Sequence, residues 1–131
     1  GAEPVRIPES ARMLYHASLT HGSNHLITLI ADCADLLRGA GIDNAERLIG
    51  PLLSASLDNV LRHGDRALTG PVARGDAGTV RAHLAELVER APEVVASYTT
   101  LAHRTAVRAR RSGLLRADAA EEIESVLGGG R

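Results

Sequence analysis

Three groups of residues in this 131-residue chain have types and spacings that suit chemistry. The first is Leu68-Thr69-Gly70-Pro71-Val72-Ala73-Arg74-Gly75-Asp76, followed by Thr79 and His83. A glycine-rich loop ending at a helix N-terminus exposes backbone N–H groups that can hold an anion. Arg74 adds a guanidinium able to grip a carboxylate or phosphate through two parallel hydrogen bonds. Asp76 with Thr79 reads as a helix cap. A carboxylate in the cap competes with a bound anion. The plainer alternative is therefore a rigid loop, with Asp76 capping and Arg74 paired to a neighbouring acid. The second group is His16, Thr20 and Asn24, spaced four apart and so on one helix face, with Ser23 on its flank. An Asn on an apolar stripe needs a hydrogen-bond partner, which can be another helix, a substrate or a second subunit. Imidazole suits general acid–base work near neutral pH, which makes His16 a candidate. The third group is His21 and His25, with Asp32 seven residues on. The spacing resembles a metal face, but no second ligand set accompanies it. This is also the most polar side of its helix, so solvent is the expected neighbour and no metal ligand is assigned.

Composition narrows the field. Fifteen Arg and no Lys stand against sixteen acids, for a net charge of −1. The absence of Lys removes Schiff-base chemistry. A nucleic-acid binder shows a basic excess and stacking aromatics; here Phe and Trp are missing and Tyr occurs twice. The lone Cys33 excludes an internal disulfide and favours a reducing, cytoplasmic setting. The longest apolar stretch, Leu26 to Leu37, carries Asp32 and Asp35 and is shorter than the ~20 residues of a spanning helix. No nucleophile elbow, Walker loop or dinucleotide fingerprint occurs.

The elements that hold these residues read as all-α, because the apolar content is mostly Ala and Leu. Five to six helices are expected, with a long central one first. Residues 1–8 form a linker, or an orphan strand over Val5-Arg6-Ile7 between two prolines. Residues 9–127 form the helical domain, and 128–131 a flexible tail. The first helix covers about Glu9 to Arg38, with Met13, Ala17, Thr20, Asn24, Ile27, Ala31 and Ala34 as its stripe. Gly22 is placed to bend it, and Gly39 or Gly41 to end it. A second helix follows Asp43 or Asn44 and runs to His63, with a kink or break expected at Pro51. Residues 64–75 are expected to form a loop with one helical turn at Arg66 to Leu68. Further helices run from Asp76 to Arg90 on Val80, Leu84, Leu87 and Val88, and from Pro92 to Arg111 on Val94, Tyr98, Leu101, Ala102 and Thr105. A last one spans Asp118 to Leu127. Arg104, Arg108, Arg110, Arg111 and Arg116 read as cations at helix C-termini.

Tyr15-His16-Ala17, Ser23-Asn24, Gly50-Pro51-Leu52, Asn59 and above all Leu68 to Asp76 with His83 carry a resemblance. They are similar to the C-terminal helical domain of a family of uncharacterised Rossmann-like oxidoreductases. That domain resembles the C-terminal domains of the 6-phosphogluconate dehydrogenase-like group, which includes pyrroline-5-carboxylate reductase and ketopantoate reductase. The resemblance covers about Val5 to Arg111. It implies a 6-phosphogluconate dehydrogenase C-terminal-like bundle that forms a homodimer and lines the substrate side of a cofactor cleft. NAD or NADP is then expected on an N-terminal Rossmann domain, with no cofactor held by this chain and no redox activity from it alone. The related β-hydroxyacid dehydrogenases use a helix Lys as acid/base; this chain has none, and His16 is the residue that could take the role. Asn24, Thr69, Arg74 and His83 are the expected contacts to a small carboxylate-type substrate. The alternative is a stand-alone helical interaction module with no catalytic role.

Overall fold

The computed structural model describes residues 1–128 and is all-α, with no strand among them. Residues 1–8, including Val5-Arg6-Ile7, have no regular secondary structure. The expected tail 128–131 lies outside the described residues except for Gly128. The chain divides into two compact units, residues 1–47 and residue 48 onward.

The first unit is a long helical run. A 3₁₀ turn at Glu9–Ala11 leads into α1 (Arg12–Leu19), a π segment at Thr20–Asn24 and α2 (His25–Gly39). Gly22 stands at the centre of the π segment, where a bend was expected. The run ends in a Schellman turn. Ile42 N–H donates to Leu37 C=O and Gly41 N–H to Arg38 C=O, with Gly41 at φ +89°. Arg38 then pairs with Asp35 at 3.1 Å and with Glu46. This helix was expected to be central, but Ala34 is its only buried residue. Met13 is 76% exposed and Ile27 67%. Thr20 and Asn24 are exposed as well, so Asn24 is not a buried polar residue of the stripe.

α3 (Ala45–His63) begins in the first unit and runs on into the second. It passes through Pro51 without the expected break. Five of its large apolar residues, from Leu48 to Leu61, are exposed.

The core belongs to the second unit. A 3₁₀ turn (Gly64–Ala67), α4 (Gly70–Ala73), α5 (Ala77–Arg90), α6 (Pro92–Arg111) and α7 (Ala117–Gly128) enclose a cluster of mostly small side chains. Ile123 and Val80 are its largest fully buried members. Ala102, Ala106 and Ala109 line one face of α6, and such small residues let helices approach closely. Segment 64–75 is therefore two helical turns rather than a loop with one. Leu68 and Thr69 are the extended link between them. Val88 and Leu101, expected inside, are 59% and 44% exposed.

α4 also closes in a Schellman turn. Gly75 N–H donates to Val72 C=O, and Asp76 N–H to Pro71 C=O at 2.8 Å, with Gly75 at φ +73°. A Cβ on Gly75 would stand 2.9 Å from Ala119 Cβ and 3.3 Å from Leu115 Cδ1. Gly113 shares the positive φ but has open space around it. Gly75→Ala should combine backbone strain with a clash and cost about 3 kcal/mol, whereas Gly113→Ala should cost only the strain, about 1 kcal/mol. Urea unfolding of the two variants measures the difference. Equal losses would mean that the approach of Gly75 to α7 contributes nothing.

Candidate functional site

The polar residues of the second unit gather where α4 turns into α5. Asp76 is the N-cap of α5, as the sequence indicated. Its Oδ1 accepts the Thr79 backbone N–H at 3.1 Å, and its Oδ2 accepts the Thr79 hydroxyl at 2.7 Å. The two Thr79 hydrogen bonds hold the Asp76 carboxyl below its ordinary value, with smaller contributions from the positive fields of Arg74 and His83. Arg74 is exposed and has no ion pair among the described residues, so the expected pairing with a neighbouring acid is absent.

His83 lies seven residues beyond Asp76 on α5, two helical turns along the same face. Its Nδ1 is 2.9 Å from the Tyr98 hydroxyl of α6, and the rings meet edge to face. Tyr98 is half-buried, and burial pushes its phenol up. A phenol kept protonated can donate to Nδ1, which places the imidazole hydrogen on Nε2. Tyr98 was read only as part of an apolar face. Its hydroxyl was the available signal, because a partly buried Tyr usually finds a polar partner. Thr69 precedes α4 in extended conformation, is exposed, and makes no side-chain cap bond.

The anion reading loses one of its two supports. Asp76 already occupies the N-terminus of α5 with a carboxylate, so the helix end offers no open cradle to a second anion. What remains is the Arg74 guanidinium, which with His83 contributes to the positive field at Asp76.

His16 and Asn24 belong to the first unit. The His16 ring stacks beside Tyr15, centroids 6.2 Å apart, and both His16 and Asn24 are exposed. His21 and His25 meet, with Nδ1 atoms 2.8 Å apart. Asp32 does not join them: no group of three or more His, Cys, Asp or Glu converges among the described residues. Two of the C-terminal arginines have specific partners. Arg108 pairs with Asp65 at 3.2 Å and Arg116 with Asp118 at 3.6 Å.

An open groove of about 740 Å³ lies between α5, α6 and α7, walled by Leu84, Val88, Val95 and Val126 with Arg81 at its edge. It holds none of the candidate residues. One charged group over an apolar wall lacks the convergent polar groups of a reaction site. No described helix is long and apolar enough to cross a membrane.

Residues 1–105 match the family described as a domain of unknown function (DUF2520). No curated protein and no solved structure gives a significant match.

Replacing the Asp76 carboxylate tests the corner directly. Asp76→Ala should lower the melting temperature by about 3 °C at neutral pH. Because folding depresses this carboxyl, its contribution is complete above the unfolded carboxyl range and fades as pH falls through the folded value. The gap between variant and parent should therefore begin to narrow only below about pH 4 and keep narrowing as the pH falls further. Differential scanning calorimetry from pH 7 down to pH 2 follows it, and a gap that does not narrow over that range would assign the loss to packing instead.

Proposed function

The chain belongs to the DUF2520 family, and on that footing we propose that it is the dimerisation and substrate-side domain of an NAD(P)-dependent oxidoreductase, working with a separate Rossmann domain in the cytoplasm. The observation that carries the reading is the exposed apolar surface of α1, α2 and α3. Twelve large apolar side chains there, Met13 through Leu61, are exposed. Single exposed Leu residues are ordinary, but this many on three helices favour association. Obligate dimers bury about 2,000 Å² or more in total, and their interfaces resemble a core cut in half. A second copy suits the surface because the long helical run presents an uncharged stripe over much of its length.

The substrate side rests on Arg74 and His83. A guanidinium held beside a helix start, with no ion pair of its own, suits a substrate carboxylate. His83, with Nδ1 engaged by Tyr98, offers Nε2–H as a donor. His16 is the proposed acid/base and Asn24 a substrate contact. Lone Cys33 supports the reducing compartment. The competing reading, a helical interaction module without catalysis, draws on the same exposed face but assigns no task to Arg74 or His16.

Sedimentation equilibrium should show a dimer at micromolar concentration, and Ile27→Glu with Leu52→Glu should yield monomer. A parent chain that sediments as monomer would remove the dimerisation role.

In the protein that carries its Rossmann domain, Arg74→Ala should raise KM for the acid substrate about ten-fold with kcat little changed. His16→Ala should lower kcat about 100-fold. Steady-state kinetics separates the two, and unchanged constants in both variants would favour the non-catalytic module.

A further inference from the structure

We propose that His21 and His25 form a bidentate chelate for a late first-row divalent cation, with Ni²⁺ and Cu²⁺ favoured over Zn²⁺. His21 lies within the π segment that interrupts the first helix, and His25 directly follows it. His25 N–H donates to Thr20 C=O, five residues back, and this wider turn brings the two side chains together. Their Nδ1 atoms converge to 2.8 Å, with ring centroids 4.9 Å apart and planes at 89°. Both rings are exposed, so a hydrated ion can reach them and keep water in its other positions.

The separation of the two nitrogens selects the ion. Metal–imidazole bonds are about 2.0–2.1 Å long. Two nitrogens 2.8 Å apart then subtend about 85–90° at a common metal, the angle between cis positions of a square-planar or octahedral ion. A tetrahedral Zn²⁺ needs its nitrogens about 3.3–3.4 Å apart, so the rings would have to open. No carboxylate joins the pair among the described residues, which leaves an all-nitrogen donor set. Mg²⁺ and Ca²⁺ want oxygen, so they are excluded on donor type.

The free state is self-consistent. One Nδ1–H donates to the other Nδ1, which holds both rings in place. On binding, the donating ring shifts its hydrogen from Nδ1 to Nε2. Both rings turn so that their Nδ1 lone pairs meet at the metal, and neither ring changes charge. Preorganisation of this kind removes part of the ordering cost of binding.

Calorimetric titration of the tag-free chain with NiCl₂ should show one saturable site per chain. Affinity should fall at least ten-fold in His21→Ala and in His25→Ala, and stay unchanged in His103→Ala. MgCl₂ should give no binding heat. Circular dichroism checks that the variants keep parent helicity, which is expected because both positions are exposed and Ala favours helix. A second measurement uses the parent chain alone. Histidine carbethoxylation mapped by mass spectrometry should show Ni²⁺ protecting His21 and His25 but not His63 or His103. Absence of a saturable site, retention of full affinity in both variants, or protection at other histidines would overturn the proposal.

Discussion

Two hydrogen bonds from Thr79 to the Asp76 carboxylate, and the left-handed Gly75 that delivers Asp76 to them, set the geometry of the second unit. The two residues end one helix and start the next. Gly75 completes the Schellman turn of α4, and Asp76 takes up one orphan N–H group of α5, that of Thr79. The corner has no slack, because Gly75 lies against Ala119 and Leu115 with no room for a Cβ. Through it α4, α5 and α7 reach the spacing that an alanine-rich core requires. Arg74 and His83 inherit their positions from the same corner, one residue before it and two turns after it.

The same corner limits what the site can do. A helix N-terminus is an anion site only while its N–H groups are open. Here a resident carboxylate consumes that capacity. Recognition of a substrate acid is left to Arg74, a long side chain whose ordering costs entropy on binding. That cost makes a second donor valuable. His83 is the available one, because Tyr98 holds its Nδ1 at 2.9 Å and leaves Nε2 free.

The legible parts of the fold were those governed by local stereochemistry. Asp76 and Thr79 announced a cap, Pro92 the first residue of α6, and Gly39-Ala40-Gly41 the end of α2, each because a few adjacent residues settle the backbone. Pro51 signalled a kink or break because proline removes a backbone donor, yet α3 continues unbroken through it. Segment 64–75 misled because its glycines end short helical turns, here a 3₁₀ and an α turn, as readily as they build loops. Val88 and Leu101 misled because periodicity names an apolar stripe but not which part of it another helix covers. Of the candidate residues, Arg74 and His83 lie in the second unit near Asp76, while His16 and Asn24 lie in the first. The Tyr98 hydroxyl signalled a polar partner, but pattern reading could not name His83, fifteen residues away on another helix.

The histidines show how local structure divides one residue type among tasks. In the second unit each described histidine contact crosses between helices: His83 to Tyr98, and His103 to Glu124 at 2.8 Å. Such a contact fixes one ring nitrogen and stiffens the pair of helices it joins. In the first unit the contacts stay within one helical run. His16 stacks on Tyr15, with no hydrogen bond among the described residues, and both its ring nitrogens face solvent or an incoming group. His21 and His25 satisfy each other across a π turn. A regular α-helix lets residues four apart face each other without fixing their rings. The π turn changes that spacing at a small energetic cost, and such irregularities persist in helices mostly where they position side chains for a task. Gly22 stands at its centre, within the same turn that brings the two imidazoles together.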